Sequence, residues 1–412
     1  MRFPEFEGEW VNKKLGQIYK FKITNSLSRA DLNYENGSVK NIHYGDIHTQ
    51  YATLFDITKE SVPYINHELN ITKYSDENYC QEGDLIFADA SEDYNDIGKC
   101  IEIVNLNNEK VQSGLHTLLA RPEKSIMAIG FAGYLMKSGN VKLQIQREAQ
   151  GTKVLSITSG RLSKIELIFP ALPEQQKIAS FFTAIDQKIS QLKRKKTLLE
   201  QYKKGVMQKI FSQKIRFRDD NGQEFPKWEK KRLGSILNER NIQVPKSDEY
   251  PLMAFVANKG VAQKGERYNR EFLVNDGDNK KYKQTEYGDF IYSSNNLETG
   301  SIGLNSFGSA SISPVYSIFQ IDESCNPQFL GCYFVRKSFI NKMTSYRQGV
   351  VYGQWRIHES DFLKIEEWIP STTEQTKIAN FLSAIDDKIN HTQKQVEKAE
   401  VWKKGLMQQM FC

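Results

Sequence analysis

The sequence predicts an α/β protein: two globular α/β halves separated by an antiparallel coiled coil of two long helices, with a pseudo-two-fold internal repeat. Three observations carry this expectation. Residues 173–211 return at 373–411 without a gap, and 18 of the 38 positions from 174–211 match 374–411. Both copies space their apolar residues by three and four, the period of a helix that buries one narrow stripe. Outside them, short apolar runs bounded by Gly, Asn, Asp or Ser read as strands.

In chain order, the first half opens on Trp10-x-x-x-x-Leu15-Gly16, shortly after Phe3-Pro4. Strands are expected at 84–88, 100–104 and 164–169, with a helix at 113–119 or 131–141. The first long helix follows Pro170 and Pro173, and its stripe is Ile178, Phe182, Ile185, Ile189, Leu192, Leu199 and Val206. The second half reopens on Trp228-x-x-x-x-Leu233-Gly234, after Phe225-Pro226. Gly83-Asp84 returns as Gly288-Asp289, and the same offset carries Ile97-Gly98 onto Ile302-Gly303. Strands are expected at 289–293, 315–321 and 364–369, and residues 330–346 read as one amphipathic helix. The closing helix follows Pro370, with Thr372 or Thr373 as its cap, and its stripe is Ile378, Leu382, Ile385, Ile389, Val396, Ala399 and Leu406. The divisions are thus 1–172, 173–216, 217–371 and 372–412.

A helix of 38 residues would span about 57 Å at 1.5 Å per residue. A narrow apolar seam of that length is hard to bury on one compact domain, whereas two copies bury each other. Lys196 stands where the second copy has Val396, a mismatch that sets register or snorkels to water. Gly205 and Gly405 mark places where either helix frays or bends.

At 39% apolar and 11% aromatic residues the chain reads as globular. A net charge of +6 permits an anionic partner. Five cysteines form no CxxC pair and no signal peptide is evident, so reduced thiols and a cytoplasmic location are expected. No apolar run is long enough to span a membrane.

Chemistry for catalysis is sparse. His43-Tyr-Gly-Asp46-Ile-His48 matches no zinc spacing, and no metal site is expected. No G-x-S-x-G elbow or Walker loop occurs. Asn326-Pro327-Gln328-Phe329 lacks one proline of the amino-methyltransferase motif and has no glycine-rich cofactor loop beside it. The Asp-x-Lys triplets at 186–188 and 386–388 read as solvated helix charges.

Cationic and amide side chains suited to a duplex occur in both halves. The first offers Lys137, Lys142, Arg147, Lys153 and Arg161. The second offers Arg267, Arg270, Lys280, Lys281, Lys283, Arg347 and Arg356, with Asn295 and Asn296 after a strand. Lys and Arg neutralise phosphates, Arg bridges the guanine edge and Asn the adenine edge. Three functions stay open on these residues alone: a DNA-binding protein, a self-contained methyltransferase or nuclease, and a coiled-coil scaffold indifferent to DNA.

Four duplicated motifs in order narrow the choice. They are Glu174-Gln175-x-x-Ile178 and Glu374-Gln375-x-x-Ile378 after a strand and proline; Ile185-Asp186-x-Lys188-Ile189 and Ile385-Asp386-x-Lys388-Ile389; Lys203-Lys204-Gly205-x-Met207-Gln208 and Lys403-Lys404-Gly405-x-Met407-Gln408; and the Trp-x-x-x-x-Leu-Gly openings. Together they resemble the specificity subunit of type I restriction-modification systems, over nearly the whole chain. The resemblance implies two target recognition domains, 1–172 and 217–371, and two spacer helices. It implies a bipartite double-stranded DNA target and a subunit with no catalysis and no cofactor of its own. It also implies two modification subunits that carry S-adenosylmethionine and methylate adenine N6, and restriction subunits that use ATP and Mg to translocate and cleave DNA. The second copy has Thr372-Thr373 where the first has Leu172-Pro173, a departure that touches only the helix cap.

Overall fold

The computed structural model describes all residues except 70–74, 124–125, 246, 264–279, 351–353 and 412. The chain forms two compact units, Met1–Lys195 with Thr392–Cys412, and Lys196–His391. Helix Leu172–Phe211 and helix Thr372–Met410 each contribute one end to each unit.

In the first unit the larger sheet orders Tyr19–Lys22, Thr117–Pro122, Leu85–Ala88, Cys100–Asn105 and Leu54–Asp56. The first four pair antiparallel, and the last lies parallel to Cys100–Asn105. Leu85–Ala88 is buried at every position because both faces are covered. Leu85 and Phe87 join a cluster with Tyr134 and Phe182, while Ile86 and Ala88 join another with Phe55 and Ile103. A second sheet orders Val111–Ser113, Lys40–Ile42, Tyr64–Ile65 and Leu32–Asn33.

The second unit repeats the four antiparallel strands as Leu237–Glu239, Ser317–Ile321, Phe290–Tyr292 and Ile302–Leu304. Phe290 and Tyr292 face one cluster with Phe362, and Ile291 faces another with Ile318. A smaller sheet holds Gln243–Val244, Tyr282–Thr285 and Ala310–Ile312.

The duplicated openings are strands whose partner precedes the long helix. Val11–Lys14 pairs with Glu166–Phe169, and Glu229–Arg232 with Glu366–Ile369. The Leu-Gly pair follows each: Leu15 N donates to Ile165 O and Leu233 N to Ile365 O, both at 2.8 Å. A Cβ on Gly16 would stand 2.7 Å from Ser163 Cβ, too close without a shift of the chain, and one on Gly234 would make a tight contact of 3.3 Å with the Leu363 carbonyl oxygen.

Within each unit the long helices pack antiparallel. In the first, Phe182 stacks on Phe411 at 6.1 Å, Lys403 Nζ reaches Asp186 at 2.6 Å and Lys193 Nζ reaches Glu400 at 2.7 Å. In the second, Lys203 Nζ reaches Asp386 at 2.6 Å, and Ile210 and Phe211 join the cluster of Ile378, Leu382 and Ile385. Ile178, Phe182, Ile185 and Ile189 join Leu406, Met410 and Phe411 in the first unit's core. Val396 is buried, Leu192, Leu199, Val206 and Ile389 are half-buried, and Lys196 pairs with Glu200 one turn along its own helix.

The Glu-Gln signature joins helix to sheet. Gln175 Nε2 donates to the Pro170 and Ile126 carbonyls at 2.8 and 3.0 Å, and its Oε1 accepts from Ala128 N at 2.9 Å. Gln375 repeats this with the Pro370 carbonyl at 2.9 Å and Asn326 N at 2.8 Å. Buried Glu174 takes a two-pronged contact from Arg2 at 2.8 and 2.7 Å, and buried Glu374 one from Arg216 at 3.3 and 2.8 Å.

Several sequence expectations change. The true counterpart of Arg2-Phe3 is Arg216-Phe217: Phe3 packs edge-on to Phe181 at 5.6 Å and Phe217 to Phe381 at 5.4 Å. Arg2 also reaches the Glu7 and Gly8 carbonyls where Arg216 reaches those of Phe225 and Pro226, so the shared Phe-Pro is not structurally equivalent. Phe87 faces Cys100 and Tyr292 faces Ile302, which makes Cys100, and not Ile97, the equivalent of Ile302. Residues 330–346 are two helices, Pro327–Phe334 and Lys337–Thr344, matched by Ala132–Met136 and Gly139–Glu148; residues 113–119 belong to strands and their turn. Ser371 Oγ, not a threonine, accepts from Glu374 N at 3.4 Å. Asp186 and Asp386 are interhelical ion-pair partners instead of solvated charges, and Asp186 also accepts from Tyr134 at 2.9 Å. Both long helices run on through Gly205 and Gly405, where a Cβ would meet open space; nothing in the packing explains these glycines.

The units solve one problem in two ways. Glu102, buried, accepts from Gly130 N and Gly133 N at 2.6 Å each, at the start of Ala132–Met136. The paired position in the second unit is Leu304, and there Asn326 Oδ1 caps Pro327–Phe334 by accepting from Phe329 N at 3.0 Å.

Two predictions follow from this packing. Phe182→Ala should cost about 3–5 kcal/mol and Leu382→Ala about 2–5, whereas Lys403→Ala should cost about 1 at most, all by denaturant unfolding of the full chain. Burial raises the Glu102 carboxyl to about 7 against the two N–H donors that favour its charge. The folded state then holds this proton more tightly than the unfolded chain, so stability falls as pH rises from about 4.5 to 7. Glu102→Gln should flatten that part of the stability–pH curve.

Candidate nucleic-acid interface

The first unit's predicted cations lie on, or follow, the helices Ala132–Met136 and Gly139–Glu148. Lys137 is exposed at the C-terminal end of Ala132–Met136. Ser138 caps the next helix, Gly139–Glu148, by accepting from Val141 N at 3.4 Å; Val141 and Ile145 are buried, which leaves Arg147 exposed and Lys142 half-buried. Arg161 turns inward to the Glu148 carbonyl at 2.9 Å and carboxylate at 3.4 Å. Lys153 is exposed in the turn between Gln150 and Ser156, whose backbones pair.

In the second unit the predicted residues separate by role. Lys283 is buried and donates to the Tyr316 carbonyl at 3.0 Å, which takes it away from any external phosphate. Lys280 and Lys281 are exposed, and Lys280 Nζ lies 5.8 Å from the Tyr282 ring centre. Arg267 and Arg270 lie outside the described residues.

The remaining four gather around one hairpin, Gln348–Val350 paired with Gln354–Arg356. Arg347, only 12% exposed, grips Glu298 with two hydrogen bonds of 2.7 Å. Asn295 Oδ1 accepts from Trp355 N at 2.6 Å, and Ser294 Oγ from Ile357 N at 3.0 Å. Asn296 is exposed on the same loop, its backbone tied to Ser293 and Ser301. Arg356 is exposed, with Nη2 3.5 Å from Glu359. Gln348, Gln354 and Trp355, none of them among the candidate side chains read from the sequence, are exposed on the same hairpin. The polar–aromatic–basic run Gln354-Trp355-Arg356 was the available signal.

Groups that suggested catalysis have structural partners. His43 caps the helix Tyr44–Thr49 by accepting from Gly45 N at 3.2 Å, Asp46 pairs with Arg29, and His48 Nε2 meets the Ala90 carbonyl at 3.0 Å. Among the described residues no group of three or more His, Cys, Asp or Glu is placed to hold a metal. Burial raises the thiols of Cys80, Cys100, Cys325 and Cys332, that of Cys100 to about 12, which disfavours their thiolate forms. No described helix is long and apolar enough to cross a membrane.

The family model described as the type I restriction modification DNA specificity domain matches residues 7–201 and again 226–400. A Methanocaldococcus jannaschii protein described as "Putative type I restriction enzyme MjaX specificity subunit" is 26% identical over 340 residues, covering 79% of this chain and 76% of its own length. Two solved structures share the fold. The type I restriction-modification S subunit from M. genitalium is 14% identical with a TM-score of 0.57, over 100% of this chain and 99% of its own. The HsdS subunit from Thermoanaerobacter tengcongensis is 15% identical with a TM-score of 0.50, over 100% and 97%.

Proposed function

The chain belongs to the type I restriction modification DNA specificity family, and from that premise we propose that it reads a bipartite duplex target, one half-site for each compact unit. The family is non-catalytic, so adenine N6 methylation with S-adenosylmethionine and ATP- and Mg-dependent cleavage fall to partner subunits. The observation that carries the reading is a repeated frame with unlike surfaces. The strand pairs at Val11–Lys14 and Glu229–Arg232, the Gln175 and Gln375 clamps and the reciprocal Lys–Asp pairs recur. The exposed cations and amides do not: Lys137 and Arg147 on one unit, Lys280, Lys281, Asn296 and Arg356 on the other.

The repeat also supports two like partners. Tyr202 and Trp402 occupy equivalent helix positions and are 53% and 55% exposed, and a large aromatic held in solvent at both suits the docking of one modification subunit at each. Two sites joined by continuous helices bind one duplex more tightly than either alone, because the second contact is intramolecular.

Methylated adenines mapped in cells with and without this gene test the reading. A split motif with a constant gap should appear only when the gene is present; an identical methylation pattern in both would count against it. The spacer makes a second, quantitative prediction. Seven residues added to each long helix keep the seam in phase and lengthen it by about 10 Å. The gap preferred from a random duplex library should then grow by about three base pairs, at about 3.4 Å per pair.

A further inference from the structure

We propose that the hairpin Gln348–Val350/Gln354–Arg356 is the element of the second unit that reads base edges in the major groove, with Gln348, Gln354 and Arg356 as its specificity-determining side chains. This rests on the DNA-reading function proposed above and assigns that function within one unit.

Pairing geometry puts these side chains on one face. Gln348 stands directly opposite Arg356, and Gln354 lies two residues before Arg356 on the same strand. Trp355, 49% exposed, faces the other way. Gln348 and Gln354 are exposed, Arg356 is 56% exposed, and the sole ion pair of Arg356 among the described residues is the 3.5 Å contact with Glu359. Glu359 is itself held by Ser317 Oγ at 2.8 Å, so the guanidinium is steered by a fixed anchor. Gln348 Nε2 reaches Asp361 at 3.3 Å, a second steering contact at the stem.

The stem is rigidly held. The Arg347–Glu298 clamp and the Asn295–Trp355 and Ser294–Ile357 bonds tie the hairpin to the loop after Phe290–Tyr292. Arg347 and Asn295 therefore act as positioning residues. A two-stranded ribbon fits the width of the major groove, Arg makes paired bonds to guanine O6 and N7, and Gln to adenine N6 and N7.

The first unit provides an internal comparison at the same place in the frame. Ile157 N is anchored to the Asp89 carbonyl at 2.8 Å, as Ile357 is to Ser294, yet the chain before it returns in a tight turn between Gln150 and Ser156. Gly151 has a φ of +122°, and a Cβ there would stand 2.1 Å from the Val154 carbonyl. An element whose base is repeated while its length and side chains differ is where two unlike half-sites would be told apart.

The test uses the full chain assembled with its modification subunits. Duplexes bound from a random library are sequenced for wild type, Gln348→Ala, Gln354→Ala and Arg356→Ala. Support is a loss of about ten- to hundredfold in base discrimination at one or two positions of a single half-site, the other half-site staying unchanged. The unchanged half-site reports that the complex is folded, and the two glutamine variants carry the test if Arg356→Ala does not assemble. An unaltered motif in every variant overturns the proposal and leaves the DNA-reading function standing. So does an Arg356→Ala complex that keeps its motif, binds every duplex more weakly and has a salt slope lower by about one, the signature of a phosphate contact. A wild-type complex that selects no motif overturns both.

Discussion

Burial of one apolar stripe on each long helix is the constraint on which everything else depends. A helix whose apolar stripe is this narrow gains little from local propensity and needs a packed partner face. Here that face comes from the other long helix and the sheet, with Ile178, Phe182, Leu406 and Phe411 in one core and Phe211, Ile378 and Leu382 in the other. The seam outweighs the ion pairs. Full burial of one large apolar side chain is worth about 1.5–3 kcal/mol, whereas partly exposed pairs such as Lys203–Asp386 contribute about 1 or less. Those pairs have a different role, since antiparallel alignment brings each Lys-Lys-Gly segment opposite an Asp-x-Lys segment.

The repeated motifs are a set of joints between helix and sheet. Glutamine at 175 and 375 bonds backbone groups that would otherwise be buried without partners. Glutamate at 174 and 374 holds an arginine that in turn binds carbonyls just before the Trp-x-x-x-x-Leu-Gly strand. Each unit is thereby closed by its own beginning and its own end. Elsewhere the units are free to diverge, as Glu102 and Leu304 show: one helix start is held by a buried carboxylate, the other by the Asn326 cap.

Much of this was legible in the sequence because it lies in regular spacing. The helix stripes, the strands at 84–88, 100–104, 289–293 and 315–321 and the Leu-Gly joints follow from period, turn residues and repetition. Equivalences between the units were less legible. A constant offset pointed to Ile97 where the sheet register selects Cys100, because the connection between strands differs in length and only cross-strand pairing reveals it. The break at Val335 and Arg336 was hidden because no proline or glycine marks it in the sequence.

Charge was the least legible property. Composition lists Lys283, Arg347 and Arg356 as alike, yet one is buried on a carbonyl, one is clamped to Glu298 and one stands in solvent. The sequence by itself determined the duplication, the two helices and the family to which such a frame belongs, since these depend on periodicity and on residues near one another in the chain. Only the tertiary structure decided which cations face outward and that Asn295, about sixty residues away, supports the hairpin at Trp355. Desolvation and hydrogen-bond pairing are set by neighbours in space, and those neighbours come from distant parts of the chain.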